Sequence, residues 1–238
     1  MFNFEEGEVL LIDKPLEWTS FDTVNLIRAL VKRFHGIRKL KVGHAGTLDP
    51  LATGLLIVCT GRMTKKIDLY QGQKKTYTGT LRMGQTTPTF DLESEPDAFF
   101  PLDDITPAMI DKARERFLGT ISQKPPKYSA IKINGKRAFD YARSDKEIEM
   151  KSRDVHIEEF ELCYDRFPDI DFKVVCSKGT YIRSLVHDLG REIGNGACLT
   201  ALRRTMIGDF SVDNAWQLPD LKQAIISTGY DHVLEPNS

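Results

Sequence analysis

The sequence predicts an α+β fold, because strand and helix signals alternate irregularly along its 238 residues. Hydrophobic residues make up 41% of the chain and charged residues 28%, which is ordinary for a globular protein with a sizeable core. The short apolar run EVLLID predicts a buried strand, whereas SFDTVNLIRALVKRF has the apolar spacing of an amphipathic helix. The chain contains no internal repeat. These observations place it in the α+β class.

Helix boundaries can be predicted from capping residues. Ser20 is the expected N-cap of the first helix, and Gly36 is expected to end it. A second helix is predicted to begin after Thr106 with Pro107 at its first position, and to close at Gly119. Both segments are therefore predicted to be helices with defined ends.

The second half of the chain carries a hairpin signal and a strand–helix signal. The Asn134-Gly135 pair between SAIKI and KRAF predicts a β-hairpin, since both residues tolerate positive φ. IDFKVVC alternates as a half-buried strand, and TYIRSLVHDLGREIG follows as a helix with Thr180 as its expected cap. Arg183 would then lie in the first turn of that helix.

Domain organisation follows from length and charge. Few residues follow Trp216, so we predict one domain over 1–216 and a short tail over 217–238. The net charge is −1, but residues 124–153 are rich in Lys and Arg while residues 91–104 are acidic. We expect a basic insertion over about 121–153.

Several protein classes are disfavoured by composition. No apolar run approaches the roughly 20 residues of a membrane span, and the acidic N-terminus lacks the basic flank of a secretory signal, so a cytoplasmic protein is expected. The four cysteines show no C-x-x-C pairing, which argues against zinc and against a disulfide framework. We therefore expect no metal.

The segment KVGHAGTLDPLATGLLIVCTG combines glycines, a histidine and one carboxylate in a loop that leads into an apolar strand. Neither G-x-x-x-x-G-K-[ST] nor G-x-G-x-x-G is present, which disfavours these nucleotide-binding loops. His44 has no partner at metal-ligand spacing. A two-carboxylate glycosidase stays open, although no second acid pairs with Asp49 in an obvious way.

Five motifs in order resemble the TruB family of pseudouridine synthases. They are GEVLLIDKPLEWTS, GHAGTLDPLATGLL, KKTYTGTLRMGQTTPTFD, CSKGTYIRSLVHDLG and ALRRTMIG. The resemblance implies a pseudouridine synthase fold, with a mixed, mostly antiparallel central sheet flanked by helices. It also implies an enzyme that isomerises a uridine at position 55, in the T loop of tRNA, without a cofactor. The base would be detached from C1′, rotated and rejoined through C5.

The resemblance assigns roles by position. Asp49 matches the catalytic carboxylate, acting as nucleophile or as base, and Arg183 matches an arginine that would oppose its protonation. Tyr77 matches a tyrosine that stacks on the flipped uracil and assists removal of the C5 proton. Leu202 matches a residue lining the pocket, and His44 one that occupies the space left by the base. Lys14 matches a lysine with either a supporting role or a structural ion pair.

The basic insertion resembles a thumb that folds over the RNA stem-loop. The cations expected to contact phosphates include Lys132, Lys136 and Arg137. The implied partner is the T-arm of tRNA, with a monomeric enzyme and no obligate protein partner. Since few residues follow the core, we expect no complete PUA domain, which many members carry.

Two alternative functions stay open. A non-catalytic tRNA-binding protein could use the same fold to remodel tRNA, although Asp49, Tyr77 and Arg183 are all present. A related synthase could act on a different uridine, because target choice depends on shape.

Overall fold

The computed structural model describes residues 2–129, 132–133, 136–138, 141 and 150–233. Only the backbone is described for 132–133, 136–137 and 230–233. Ten strands of the described chain form a mixed, mostly antiparallel sheet accompanied by helices. The predicted α+β class and sheet type are confirmed. The chain comprises two compact units: a first unit of Met1–Thr76 with Arg203–Ser238, and a second unit of Tyr77–Leu202.

The secondary structure alternates as the sequence predicts. The main α-helices are α1 Ser20–Phe34, α2 Ile67–Gly72, α3 Pro107–Arg114, α4 Ile182–Ile193 and α5 Leu218–Val233. The strands are β1 Val9–Lys14, β2 Val42–His44, β3 Ala52–Thr60, β4 Lys75–Met83, β5 Gln85–Thr86, β6 Ala98–Phe99, β7 Gly119–Gln123, β8 Lys132–Ile133, β9 Lys136–Arg137, β10 Arg153–Arg166, β11 Asp169–Cys176, β12 Ala197–Ile207, β13 Phe210–Ser211 and β14 Trp216–Gln217. Short 3-10 helices cover Gly61–Lys66, Glu115–Phe117 and Val212–Asn214.

The first unit is built around β3, which is buried along almost its whole length. β1 pairs antiparallel with β3, β14 pairs parallel with β1, and β2 pairs with the end of β3. One core cluster contains apolar residues of α1, β1, β3 and α5. The predicted tail, residues 217–238, thus supplies a helix whose Leu221 and Ile225 are buried in that core.

The start of α1 differs by one residue from the prediction. Thr19, not Ser20, is the N-cap: its hydroxyl accepts a hydrogen bond from the Asp22 amide at 3.0 Å, and the Asp22 carboxylate accepts from the Thr19 amide at 2.9 Å. Ser20 is buried instead, and its Oγ bonds to the backbone of Leu48. The Ser20 hydroxyl therefore joins α1 to the loop that follows β2.

The second unit contains the antiparallel strands β7, β10 and β11, with β10 in the middle. The predicted cap at Thr106 with Pro107 after it is confirmed, although the α-helix ends at Arg114 and only a 3-10 turn continues to Phe117. The prediction that Thr180 caps α4 is wrong. The N-cap is Tyr181, and the Thr180 hydroxyl donates to the Ser177 carbonyl at 3.0 Å.

The predicted hairpin in the basic insertion is confirmed at the level of its strands, because β8 and β9 pair antiparallel. The Asn134-Gly135 turn lies outside the described residues, as do the side chains of Lys132, Lys136 and Arg137.

Candidate active site

Asp49 lies in a loop between β2 and β3 of the first unit, and this loop is held to α1. The Leu48 amide donates to Ser20 Oγ at 2.9 Å, and that hydroxyl donates to the Leu48 carbonyl at 3.2 Å. On the other side of Asp49, the Pro50 carbonyl accepts from the Glu17 amide at 2.9 Å. Backbone contacts on both sides of Asp49 therefore hold the loop that carries it.

Lys14, the last residue of β1, is fully buried and contacts the same loop. Its Nζ donates to the carbonyls of Pro15 at 2.8 Å, Trp18 at 2.5 Å and Pro50 at 3.4 Å. Burial lowers the pKa of Lys14 to about 8, and the Asp49 carboxylate partly opposes that shift. Lys14 is thus a buried cation that holds backbone carbonyls and is coupled electrostatically to Asp49.

Arg204 is a second buried cation at this loop, 1% exposed. Its Nε donates to the Leu55 carbonyl at 2.8 Å, and Nη2 donates to the Gly46 carbonyl at 3.1 Å. Gly54 adopts φ +101°, and a Cβ there would lie 2.3 Å from the Arg204 carbonyl oxygen, so only glycine fits. Arg204 thereby clamps the segment from Gly46 to Leu55, which contains Asp49.

His44 ends β2 and pairs in register with Val58 of β3. Burial, and then the Arg204 cation, lower the pKa of this imidazole, while a backbone hydrogen bond at Gly46 opposes the shift. The uncharged form of His44 is therefore favoured at neutral pH.

Arg183 lies in the first turn of α4, as predicted, and is 3% exposed. Its Nη1 donates to the Thr89 carbonyl at 3.0 Å, and Nη2 donates to the Tyr128 carbonyl at 2.9 Å. Its Nε lies 3.6 Å from Asp91 Oδ2, and both side chains are almost completely buried. Asp91 thus forms a buried ion pair with the arginine of the candidate site.

The loop that carries Asp91 is held in a strained conformation. Phe90 has φ +65°, which a non-glycine residue rarely adopts. Its ring stacks on the imidazole of His187 with centroids 3.8 Å apart and an interplanar angle of 14°. His187 follows Arg183 by one helical turn, so one face of α4 holds the loop at two points.

Tyr77 and Leu202 lie in strands of the second unit. Tyr77 belongs to β4 and is 8% exposed, while Leu202 belongs to β12 and is partly buried. The roles of Asp49, Tyr77, Arg183 and Leu202 as one catalytic set stay predictions.

Sequence reasoning missed Asp91 and Arg204. Asp91 opens the acidic stretch 91–104, where its neighbours suggest solvated surface, and Arg204 is the second of two consecutive arginines in a strand. The sequence does contain a signal for Arg204. Successive side chains of a strand point to opposite faces of the sheet, so one of two adjacent arginines faces the interior where one face is buried. Arg203 lies on the more exposed side and pairs with Asp13 at 2.7 Å.

Within the described residues, no group of three or more His, Cys, Asp or Glu side chains is arranged to hold a metal ion. In the same part of the chain, no helix has both the length and the apolar character needed to cross a membrane.

Comparisons with known proteins indicate the same family along most of the chain. Residues 32–182 match the family model described as TruB family pseudouridylate synthase, N-terminal domain, and residues 183–236 match the tRNA pseudouridylate synthase B C-terminal domain. The chain is 55% identical over 211 residues to tRNA pseudouridine synthase B of Flavobacterium johnsoniae, covering 88% of this chain and 92% of that protein. The identity is 48% over 227 residues to the protein of the same name from Bacteroides thetaiotaomicron, covering 94% and 95%.

Among solved structures, a chain in a Cbf5-Nop10-Gar1 complex is similar, with a TM-score of 0.70 and 27% identity. The match covers 96% of this chain and 57% of that one, so the other chain is much longer. This similarity supports the α+β architecture described above. From the motifs, the two family models and the bacterial relatives, the chain belongs to the TruB family of pseudouridylate synthases.

Proposed function

We propose that the protein isomerises uridine 55, in the T loop of tRNA, to pseudouridine without a cofactor. The observation that carries this proposal is the loop of Asp49, which is held by two buried cations, Lys14 and Arg204. The relatives of this chain are named tRNA pseudouridine synthase B. The target base leaves its stack, its bond to C1′ breaks, and C5 takes the place of N1 on the sugar. The C5 proton is lost and N1 gains one, so the reaction is balanced without a co-reactant.

Asp49 acts at the sugar, as nucleophile or as base, and must be ionised to do either. A carboxyl that is covered by substrate tends to keep its proton unless cations oppose this. Lys14 and Asp49 are coupled so that the carboxylate raises the pKa of the lysine. By reciprocity the ammonium favours the charged carboxylate, which supports the assignment of Asp49 as the catalytic residue.

The remaining roles follow the chemistry of each side chain. Arg183 supplies a cation of fixed orientation, since its guanidinium is already bound by two carbonyls and Asp91. Tyr77 stacks on the flipped uracil and assists removal of the C5 proton, while Leu202 lines the pocket. His44, favoured in its neutral form, fills the space left by the base.

RNA binding has support from charge. Between residues 23 and 67, Asp49 is the only acidic residue among nine lysines and arginines. Eight of these cations are exposed, among them Lys39, Lys41, Lys65 and Lys66. Such a surface suits phosphates, and we propose that it acts together with Lys132, Lys136 and Arg137 of the basic insertion.

The cellular setting belongs to the same proposal. A tRNA-modifying enzyme of this family is expected to act in the cytoplasm as a monomer, with tRNA as its partner. We keep the prediction of a catalytic domain over 1–216 with its basic insertion over about 121–153, followed by residues 217–238, whose helix α5 packs in the core of the first unit.

The test is incubation of the purified full chain with unmodified tRNA transcript, followed by mapping of pseudouridine. We expect one modified position in the T loop with wild-type protein and none with Asp49→Asn. Asp68→Asn is the matched control, because Asp68 is an exposed carboxylate of the same unit. Binding of tRNA without conversion by the wild type would favour the non-catalytic alternative, and modification elsewhere would favour a different uridine target.

A further inference from the structure

The basic insertion is anchored beside α4. The chain leaves the sheet at Gln123, the last residue of β7, and returns at Arg153, the first residue of β10. These two residues are partners in the antiparallel register of β7 and β10. The insertion therefore joins the sheet at this residue pair.

Gln123 is 1% exposed, and both ends of its side-chain amide bind the backbone of Tyr181. Oε1 accepts from the Tyr181 amide at 2.7 Å, and Nε2 donates to the Tyr181 carbonyl at 3.0 Å. Tyr181 is the N-cap of α4, and its own side chain makes no capping hydrogen bond. A glutamine from a distant strand thus accepts from the N-cap amide, as a local Glu or Gln at the third helical position does in a capping box.

The rest of the anchor also contacts the start of α4. Ser184 Oγ donates to the Lys124 carbonyl at 2.8 Å, and Arg183 Nη2 donates to the Tyr128 carbonyl at 2.9 Å. The guanidinium carbon of Arg153 lies 4.7 Å from the centroid of the Tyr181 ring. Contacts from both ends of the insertion therefore meet within one turn of Arg183.

We infer that Gln123 is a positioning residue for Arg183, and that it couples the basic insertion to the candidate active site. It acts through Tyr181, whose backbone sets the direction in which α4 begins. Arg183 is two residues further along, so a rotation of Tyr181 moves the guanidinium away from the carbonyls that orient it. This inference rests on the proposed function and extends it to a residue outside the catalytic set.

The test compares Gln123→Met and Gln123→Glu with the wild type in single-turnover conversion of saturating unmodified tRNA. Methionine keeps the volume and removes both hydrogen bonds. We expect its rate to fall at least tenfold while the dissociation constant for tRNA changes less than threefold. Gln85→Met is the matched control, since Gln85 lies in the same unit and donates only to Cys198 Sγ among the described contacts. Its rate should stay within twofold of the wild type.

Gln123→Glu adds a pH signature that a purely structural role would not produce. The ionised carboxylate can accept from the Tyr181 amide but cannot donate to its carbonyl, whereas the protonated acid can do both. The ratio of variant rate to wild-type rate should therefore rise as the pH falls from about 8 towards about 5. A flat ratio, or a Gln123→Met rate within twofold of the wild type, would overturn the inference.

Amide hydrogen exchange separates this inference from the proposed function, because it needs no catalysis. In Gln123→Met we expect faster exchange at Tyr181 and at the first residues of α4, with wild-type protection elsewhere. Unchanged protection would refute the coupling even if the wild type forms no pseudouridine. If the wild type lacks activity but Gln123→Met loses protection at Tyr181 as expected, the positioning role of Gln123 stands and only the proposed reaction is refuted.

Discussion

Replacing Lys14 should change how stability depends on pH. The folded protein holds this side chain without solvent exposure, and burial lowers its pKa from 10.5 to about 8. Below pH 8 both the folded and the unfolded chain keep the proton, so the folded state bears the full cost of a buried charge. Between pH 8 and 10.5 the folded chain releases the proton first, and unfolding then requires proton uptake. The free energy of unfolding should therefore rise with pH across this window.

The size of this effect follows from the shift. A difference of one pKa unit corresponds to about 1.4 kcal/mol, so the complete window is worth about 3 kcal/mol. Most of it, about 2 to 3 kcal/mol, falls between pH 7 and pH 10. Lys14→Met has no titrating group at this position and should lack the rise. At neutral pH the variant also leaves three carbonyls without their shared donor, which costs about 1 to 3 kcal/mol for each buried group.

Urea denaturation at pH 7, 8, 9 and 10 measures the difference. The free energy of unfolding of the wild type, minus that of Lys14→Met, should increase by the stated amount from pH 7 to pH 10. Groups that titrate in both proteins, such as the Cys59 thiol, cancel in this difference. Lys39→Met, at an exposed lysine of the same unit, is the control. Parallel pH curves for the wild type and Lys14→Met would refute the assignment of a depressed pKa to this lysine.

Three further predictions concern the second unit and the insertion. Asp91→Asn removes one member of a buried ion pair and should lower the free energy of unfolding by about 3 to 5 kcal/mol, measured by urea denaturation, whereas a change under 1 kcal/mol would contradict the pairing. Tyr77→Phe keeps the ring and removes the hydroxyl, whereas Tyr77→Ala removes both. A lower single-turnover rate in the Phe variant would indicate that the hydroxyl assists proton removal, and a loss in the Ala variant alone would indicate stacking. Equal rates in the two variants would exclude Tyr77 from the site. Charge removal at Lys132, Lys136 and Arg137 should reduce the salt dependence of tRNA binding by roughly 0.7 to 0.9 in slope for each lost phosphate contact, and an unchanged slope would place the phosphates elsewhere.

Local signals in the sequence predicted the elements well, and the two wrongly predicted caps have different causes. Thr19 and Ser20 are adjacent, and either could cap α1 on sequence grounds. Thr19 is the N-cap because Asp22 completes a capping box with it. Ser20 is then available to bind Leu48, a contact 28 residues away in sequence that no helical pattern contains.

The candidate site shows the same limit. The motifs placed Asp49, Tyr77 and Arg183 in recognisable segments. Asp91 and Arg204 lie in two of the same motifs, but the partners that each binds are seen only in the fold. Thr180 was predicted to cap α4 because its residue type suits a cap. In the fold, Gln123 supports the helix start from β7, and glutamine has no such preference in sequence statistics.

The buried cations of the first unit link geometry to ionisation. Lys14 and Arg204 donate to backbone carbonyls at Pro50, Gly46 and Leu55, so their positions are fixed by neutral acceptors that do not neutralise their charge. Lys14 keeps its proton below about pH 8. Below that pH, two positive charges therefore lie at the loop of Asp49, whether its carboxyl is protonated or ionised. If carboxylates held these cations instead, the loop would keep its shape but lose much of the potential that favours an ionised Asp49. Under the proposed function, binding through carbonyls lets the same two cations orient the loop of Asp49 and oppose protonation of its carboxylate when RNA excludes water.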